Sequence, residues 1–152
     1  MTVTLQPYTL ERCHAFWKDY VADPAMMDGS YTYDPAWVER YYHGKCQEKN
    51  RVFFAICVDE TIIGEIQLKG IDRQQNCATL SVHLNCDRYK NQGFGTEAQR
   101  QMIAYGFEQL GLEKIYADCL HRNQRSRHIL EKLGFRHLRD DDSFHYFVLE
   151  KK

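Results

Sequence analysis

Residues 90–98 read Lys90-Asn91-Gln92-Gly93-Phe94-Gly95-Thr96-Glu97-Ala98, and they join a β-rich run to a helical one. Two neighbouring glycines let the backbone approach a ligand closely, because neither carries a Cβ atom. The first N–H groups of the following helix have no intrahelical partner and can bind an anion. The pattern predicts a phosphate or pyrophosphate cradle, to which Lys90 adds charge and Thr96 a hydroxyl donor. The alternative is a tight strand-to-helix turn with a glycine N-cap.

The same residues also fit G-x-G-x-x-[GA], the dinucleotide-binding fingerprint, and Asp118 lies near the position of its acidic partner. Seven mostly polar residues, 86–92, separate the preceding strand from Gly93, however. Only 57 residues of the chain follow Gly95, and their pattern is β-α-β-β. The sequence therefore disfavours a nicotinamide or flavin site and an oxidoreductase function.

Alternation and helical spacing predict the order β-α-α-β-β-β-α-β-α-β-β in one domain over residues 1–152. This order predicts an α/β fold with a mixed sheet of about seven strands and about four helices. In the fourth predicted strand, Ala78–Asn85, the apolar residues Leu80, Val82 and Leu84 alternate with the polar residues Ser81, His83 and Asn85. The predicted strands are Val3–Tyr8, Val52–Val58, Thr61–Lys69, Ala78–Asn85, Ile115–Leu120, Arg136–Arg139 and Phe144–Leu149; the helices are Leu10–Tyr20, one from about Pro35, one from Gly93 to about Leu110, and Asn123–Leu133.

The composition of the chain argues against several classes of function. The chain has 20 Lys and Arg against 21 Asp and Glu, a net charge of −1, which argues against a nucleic-acid-binding protein. No apolar run approaches the length of a membrane helix, and the first residues lack a secretory signal, so we expect a cytoplasmic protein without a membrane partner. The six cysteines form no CxxC pair, so we expect reduced thiols and no metal site.

Two spaced motifs resemble those of the GNAT acyltransferase superfamily. Residues 90–95 are similar to its [RQ]-x-x-G-x-[GA] acyl-CoA pyrophosphate loop, with Lys90 where Arg or Gln is usual. Residues 123–135 (NQRSRHILEKLGF) are similar to its N-x-x-[SA]-x-x-x-[LY]-E-K-x-G-F helix. Ala22–Met27 resembles the D-P-x-V-M element of the subgroup that contains ribosomal-protein N-terminal acetyltransferases. The resemblance covers essentially the whole chain.

The resemblance implies a GNAT fold whose sheet splays open to bind acetyl-CoA, the expected co-substrate. Leu84-Asn85-Cys86 would lie beside the pantetheine arm, with the Asn85 backbone N–H polarising the thioester carbonyl. Asn123 matches the family asparagine near that arm, and it can also serve as an N-cap. The residues implied in acetyl-CoA binding are Asn85, Lys90, Gln92, Gly93, Phe94, Gly95, Thr96 and Asn123.

Transfer to an amine requires a base to deprotonate it and a proton for the leaving thiolate. Many relatives supply that proton from a tyrosine at the position of Leu130, whereas the ribosomal-protein subgroup has a serine at the position of Ser126. Ser126 is therefore the candidate thiolate partner. Asp118 lies where one branch of N-terminal acetyltransferases has a catalytic glutamate, and Glu65 and His83 are rival bases; some relatives have no dedicated base.

The resemblance places the acceptor amine between the first two helices and the strand hairpin. Acidic residues and tyrosines crowd this region, which suits a cationic amine, although a solvated acidic helix surface is an equal interpretation. The residues are Asp19, Asp23, Asp28, Asp34, Glu39, Tyr31, Tyr33, Tyr41 and Tyr42. Polyamines, aminoglycosides, free amino acids and protein N-termini all stay open as acceptors.

We therefore expect an acetyl-CoA-dependent N-acetyltransferase in which a primary amine attacks the thioester directly. The sequence shows no Cys-His pairing that would favour a covalent intermediate, although Cys86 and Cys119 would lie near the splayed strands. The rival interpretations are a non-catalytic acyl-CoA-binding regulatory module and an enzyme for longer acyl chains. Homodimers are frequent in the superfamily, so a homodimer is a further expectation.

Overall fold

The computed structural model describes residues 2–21, 31–85 and 93–152. Its elements follow the predicted order, and the longest strand runs three residues beyond the predicted Lys69 to Asp72. The strands are β1 Val3–Pro7, β2 Val52–Val58, β3 Thr61–Asp72, β4 Cys77–Leu84, β5 Lys114–Leu120, β6 Arg136–Asp140 and β7 Phe144–Glu150; the helices are α1 Leu10–Lys18, α2 Pro35–Cys46, α3 Phe94–Glu108 and α4 Gln124–Lys132.

The strands form one mixed sheet in the order β1-β2-β3-β4-β5-β7-β6. Every neighbouring pair is antiparallel except β4 and β5, which are parallel. Their pairing covers only Cys77–Thr79 against Lys114–Tyr116, although both strands continue further. The sheet therefore opens between β4 and β5, and the predicted mixed, splayed sheet is confirmed.

The helix boundaries follow from local capping. The Thr9 side chain accepts a hydrogen bond from the Arg12 N–H and begins α1. Asp34 caps α2 in the same way, with Pro35 in the first turn, where its missing N–H costs nothing. Gly134, with φ of +97°, follows the end of α4 in the left-handed conformation that glycine adopts readily.

Apolar side chains on the two faces of the sheet form two cores. The larger core joins β2–β5 and β7 to α3, and includes Ile66, Met102 and Phe147. The smaller core joins the other face to α1 and α2 through Phe16, Trp17 and Val38, among others. Among the described residues, no helix is long and apolar enough to cross a membrane.

Gly64 permits the close approach of β3 to β4 at the opening of the sheet. A Cβ atom there would lie 2.9 Å from the His83 carbonyl oxygen and 2.9 Å from Leu84 Cδ2. Such distances are far inside van der Waals contact, so a larger residue would push β4 away. Gly64 therefore allows β4 to pack closely on β3 next to the opening between β4 and β5.

Candidate active site

The separation of β4 from β5 leaves a cavity of about 230 Å³, which we call the gap cavity. Its walls come from β4, β5, α3 and α4, and it includes both catalytic candidates, Asp118 and Ser126. The lining residues are Leu80, Ser81, Val82, Gln99, Ala117, Asp118, Cys119, Leu120, Asn123, Ser126, Leu130 and Phe144.

The register of β3 and β4 determines which backbone groups face this cavity. The Asn85 N–H donates to the Ile63 carbonyl oxygen at 2.8 Å, so it points toward β3. Hydrogen-bonded pairs alternate along an antiparallel ladder, so the backbone groups of Val82 and Leu84 point to the β5 side instead. The expected role of the Asn85 N–H as a donor to the thioester carbonyl is therefore wrong, because that donor is already used within the sheet.

The first turn of α3 borders the same opening. Gly93 is its N-cap, with φ of +83°. Apart from Gly93 and its chain neighbours, no atom of the described residues lies within 4 Å of the point where a Cβ would stand. The first helical bond runs from the Glu97 N–H to the Gly93 carbonyl, so the amides of Gly95 and Thr96 precede the helical ladder. An open glycine corner with such amides has the form that a pyrophosphate needs. Lys90, Gln92 and Cys86, like the Ala22–Met27 element, lie outside the described residues.

An acidic residue shares this turn. The Glu97 carboxylate accepts hydrogen bonds from Gln101 at 3.0 Å and from Arg100 at 3.2 Å. These donors lower its pKa, with the Gln101 bond as the main cause. The negative charge of Glu97 is thus partly neutralised by Arg100 on its own helix.

The N-terminus of α4 brings two predicted residues to the gap cavity. Asn123 Oδ1 accepts the Ser126 N–H at 3.0 Å, so Asn123 is an N-cap as well as a cavity residue. Leu130 is 3% exposed and lines the cavity one turn further along, where many relatives carry tyrosine. With an apolar residue at position 130, Ser126 is the hydroxyl-bearing residue of α4 that lines the gap cavity.

Asp118 contributes a carboxyl group to the cavity wall from β5. The residue as a whole is exposed, but partial desolvation of the carboxyl group raises its pKa, an effect that Lys69 opposes and Asp141 reinforces. A carboxylate with a raised pKa is a better proton acceptor than an ordinary one.

A second cavity, of about 650 Å³, lies on the opposite face of β4, against α1 and α2. We call it the aromatic cavity. It occupies the region where the sequence placed the acceptor, and Tyr31, Asp34 and Tyr41 contribute to it as expected. Its lining residues are Trp17, Tyr31, Thr32, Asp34, Trp37, Tyr41, Glu65, Gln67, Ser81, Val82 and His83.

Aromatic rings form much of this wall. Trp37 stacks on Tyr41 with ring centroids 5.0 Å apart, and Trp17 meets Trp37 edge-on at 5.1 Å. The faces of such rings attract cations through their quadrupoles. The cavity therefore presents electron-rich surface next to acidic side chains.

Glu65 is the buried acid of the aromatic cavity, and only 4% of it is exposed. Its carboxylate accepts hydrogen bonds from Tyr8 at 2.6 Å and from Tyr41 at 2.5 Å. Burial and the nearby Glu65 charge raise the pKa of both phenols, so both stay protonated and keep donating. The sequence named Glu65 as a rival base and Tyr41 as an acceptor-site residue, but it gave no sign that Tyr8 and Tyr41 donate hydrogen bonds to Glu65.

His83 lies between Glu65 and Tyr20, which follows the end of α1. Its Nδ1 lies 3.7 Å from Glu65 Oε1, and its Nε2 lies 2.9 Å from the Tyr20 hydroxyl. The His83 ring lines the aromatic cavity on the face shared with Ser81, as the alternation predicted. A carboxylate next to an imidazole is a recurrent arrangement for moving a proton.

The two cavities meet at β4. Ser81 and Val82 line both of them, with the gap cavity toward α3 and α4 and the aromatic cavity toward α1 and α2. A donor in one cavity and an acceptor in the other would react across this strand.

A buried amide, Gln99, lines the gap cavity and was not among the predicted site residues. Gln99 is polar, but it lies on the buried face of α3 with Ala98 and Met102, and only 4% of it is exposed. A glutamine at a core position of an amphipathic helix was the available signal, since buried polar groups need a partner.

The family model for the acetyltransferase (GNAT) domain matches residues 2–136, most of the chain. The chain belongs to the GNAT acetyltransferase family. Members of this family use acetyl-CoA, and the N-acetyltransferase PseH of Campylobacter jejuni was solved in complex with it. PseH superposes on this GNAT chain with a TM-score of 0.67 at 20% identity, over 77% of this chain and 79% of its own.

One relative and one further solved structure are also similar to this chain. The provisionally named ribosomal N-acetyltransferase YdaF of Bacillus subtilis (strain 168) is 26% identical over 78% of this chain and 62% of its own length. A chimera of spermidine N-acetyltransferase SpeG from Vibrio cholerae and hSSAT has a TM-score of 0.83 at 16% identity, covering 99% of this chain and 96% of its own. This chain spans between 28% and 62% of the length of the four curated relatives that it matches. The solved structures show that it shares their fold.

Proposed function

We propose that this GNAT chain is an N-acetyltransferase that moves an acetyl group from acetyl-CoA to a primary amine. The observation that carries the proposal is the meeting of two cavities at Ser81 and Val82. An acyl donor in the gap cavity and an amine in the aromatic cavity would bring their reacting atoms together at this strand. Proximity of this kind supplies much of the rate enhancement in a transfer without a covalent intermediate.

The proposed donor site uses the predicted loop. The amides of Gly95 and Thr96 and the open corner at Gly93 would hold the pyrophosphate, with Phe94 and the loop residues Lys90 and Gln92 completing the cradle. The backbone groups of Val82 and Leu84, which lie beyond the described pairing of β4 with β5, would bond the pantetheine amides and the thioester carbonyl. Asn123 would bind the arm from the other wall, where it already lines the gap cavity.

The proposed acceptor is a cationic amine. The aromatic wall attracts a cation, and Glu65 and Asp34 add negative charge. The fold neighbours include enzymes named for spermidine and for ribosomal proteins, so both small polyamines and protein N-termini belong in the test.

The reaction forms one bond, breaks another and requires two proton transfers, one from the amine and one to the thiolate. A C–N bond forms between the amine nitrogen and the acetyl carbon while the C–S bond breaks. We propose that Asp118 takes the proton that the amine loses, with Glu65 and His83 as the alternative bases on the acceptor side. Ser126 would donate a proton to the departing thiolate and take one back from solvent water.

A second candidate function rests on Leu130. An apolar side chain stands in the gap cavity where many relatives carry a tyrosine acid, which favours a regulatory module that binds acyl-CoA without transferring the acyl group. Such a module would keep donor binding and lack turnover.

Thiol release from acetyl-CoA, measured with spermidine, an aminoglycoside, an amino acid and ribosomal-protein N-terminal peptides, tests the proposal. An acetyl-CoA thermal shift on the same preparation reports binding separately. Release with one amine class supports the enzyme and identifies its acceptor. A thermal shift without release from any amine supports the binding module, and the lack of a shift contradicts both functions.

A further inference from the structure

A cluster of imidazoles and a carboxylate lies outside both cavities, where β6 and β7 meet the end of β5. His137 and Asp140 belong to β6 and His145 to β7, while His121 follows β5 directly. Asp140 Oδ1 lies 2.6 Å from His145 Nδ1 and 2.7 Å from His137 Nε2. All three ligand-type atoms lie within 4.8 Å of one another.

The donor set is that of a transition-metal site. Imidazole nitrogen and carboxylate oxygen are ligands that Zn²⁺, Co²⁺ and Ni²⁺ all accept. His145 is 8% exposed, whereas the side chains of His137 and Asp140 are 41% and 44% exposed. The buried His145 side chain is held in place, whereas the exposed side chains of His137 and Asp140 can rotate. Such rotation can separate the three ligand atoms enough for an ion to lie between them.

The hydrogen bonds around His145 define the tautomer that a cation at its Nδ1 would need. His121 Nε2 lies 2.7 Å from the Asp141 carbonyl oxygen, which can only accept, so this nitrogen carries a proton. His121 Nδ1 is then an acceptor, and it lies 3.2 Å from His145 Nε2. Arg127 Nη1, which can only donate, lies 3.3 Å from His145 Nε2, so in this arrangement Nε2 accepts and Nδ1 carries the ring proton. A metal on Nδ1 requires the other tautomer, in which Nε2 carries the proton and donates it to His121. Metal-bound histidines usually make such an outer hydrogen bond.

We propose that His137, Asp140 and His145 form a binding site for a divalent transition-metal ion, with His121 orienting His145. The site ties the β6–β7 hairpin to the end of β5. Three protein ligands leave one position for water. The cysteine pattern predicted no metal site, and the ligands of this one are brought together by the hairpin.

The other charged groups nearby set limits on the affinity. Arg127 Nη1 lies 3.3 Å from His145 Nε2, on the ring edge opposite the ligand atom, and its Nε lies 3.4 Å from Glu131. The Asp141 carboxylate accepts from the Tyr146 hydroxyl at 2.6 Å and from two backbone amides, so it is not a ligand. Arg127 repels a cation, and the Asp140 charge opposes that repulsion.

Titration of the chelator-treated full chain with Zn²⁺ by calorimetry, and with Co²⁺ by visible absorption, tests this site. We expect one equivalent to bind, ligand-field bands for Co²⁺, and a higher Tm with Zn²⁺. His137→Ala and Asp140→Asn should each weaken binding by about tenfold or more. His128→Ala, an exposed histidine on α4, is the matched control and should bind as the parent does.

Absence of binding at millimolar Zn²⁺ in the parent protein overturns the proposal without any variant. Unchanged affinity in both folded variants also overturns it, because the ion would then be held elsewhere, for instance by cysteines. Circular dichroism establishes that each variant is folded. The acetyl-CoA thermal shift should be the same with and without Zn²⁺, so this result is independent of the proposed transferase function.

Discussion

The Ser126 backbone N–H donates a hydrogen bond to Asn123 Oδ1 at 3.0 Å, across the first turn of α4. Both side chains line the gap cavity. The N-cap that begins the helix therefore also holds the backbone of Ser126 beside the gap cavity, so the structural role of Asn123 and its proposed role in donor binding are compatible.

Replacing Ser126 with alanine should lower kcat several-fold or more, because the thiolate loses its proposed proton donor. The KM for acetyl-CoA should change little, since the backbone cap remains. Steady-state thiol release measures both constants. Ser143→Ala, in the exposed β6–β7 turn, is the control, and equal rates for the two variants would contradict the assignment.

Asp118→Asn should lower kcat at neutral pH and leave acetyl-CoA binding intact. Desolvation raises the pKa of this carboxyl group, so its ionised form appears only above a higher pH than for an ordinary aspartate. Activity of the parent should fall on the acid side through that raised pKa, and the variant should lose this limb of the pH–rate profile.

Stability separates a catalytic loss at Asp118 from unfolding. A raised pKa means that the fold disfavours the charged carboxylate above its unfolded pKa, so asparagine should not lower the Tm at neutral pH. Asp142→Asn, an exposed acid in the β6–β7 turn, is the matched control. A lower Tm with an unchanged profile shape would argue for a structural role.

Gly93→Glu should abolish acetyl-CoA binding, because the new side chain fills the cradle and repels phosphate. Gly111→Glu is a control with matched backbone strain, because the φ of Gly111 is +69° and its Cβ position is equally open among the described residues. Thermal shift with acetyl-CoA should be lost in the first variant and kept in the second. Equal behaviour would mean that strain or charge, and not the cradle, explains the result.

Glu65→Gln should raise the KM for a cationic amine by about tenfold, because the buried negative charge is removed while the shape is kept. The KM for acetyl-CoA should not move, since Glu65, on β3, lines the aromatic cavity and not the gap cavity. Glu60→Gln, at the exposed β2–β3 turn, controls for net charge. An unchanged amine KM would exclude Glu65 from acceptor binding.

Cys119→Ala should retain kcat within about twofold, although Cys119 lines the gap cavity. Burial raises the pKa of this thiol to about 11, so it stays protonated and is a poor nucleophile at neutral pH. Mass spectrometry after incubation with acetyl-CoA alone should find no acetylated cysteine. An acetyl group on Cys119 would contradict direct attack by the amine.

Local patterns predicted much of this molecule. Alternation separated the two faces of β4, and the glycine corner at Gly93 and the cap at Asn123 were readable from neighbouring residues. The direction of the Asn85 N–H was not, because it depends on the register with Ile63. Tyr8 reaches Glu65 across 57 residues, a pairing that no local window contains. Site details that rest on such long-range contacts require the folded chain.

The sharing of Ser81 and Val82 by two cavities on opposite faces of β4 has a kinetic consequence. Each substrate would reach its own side of the strand without passing through the other's path. We therefore expect a ternary complex that assembles in either order, with double-reciprocal plots that intersect and with neither substrate competing against the other at high concentration.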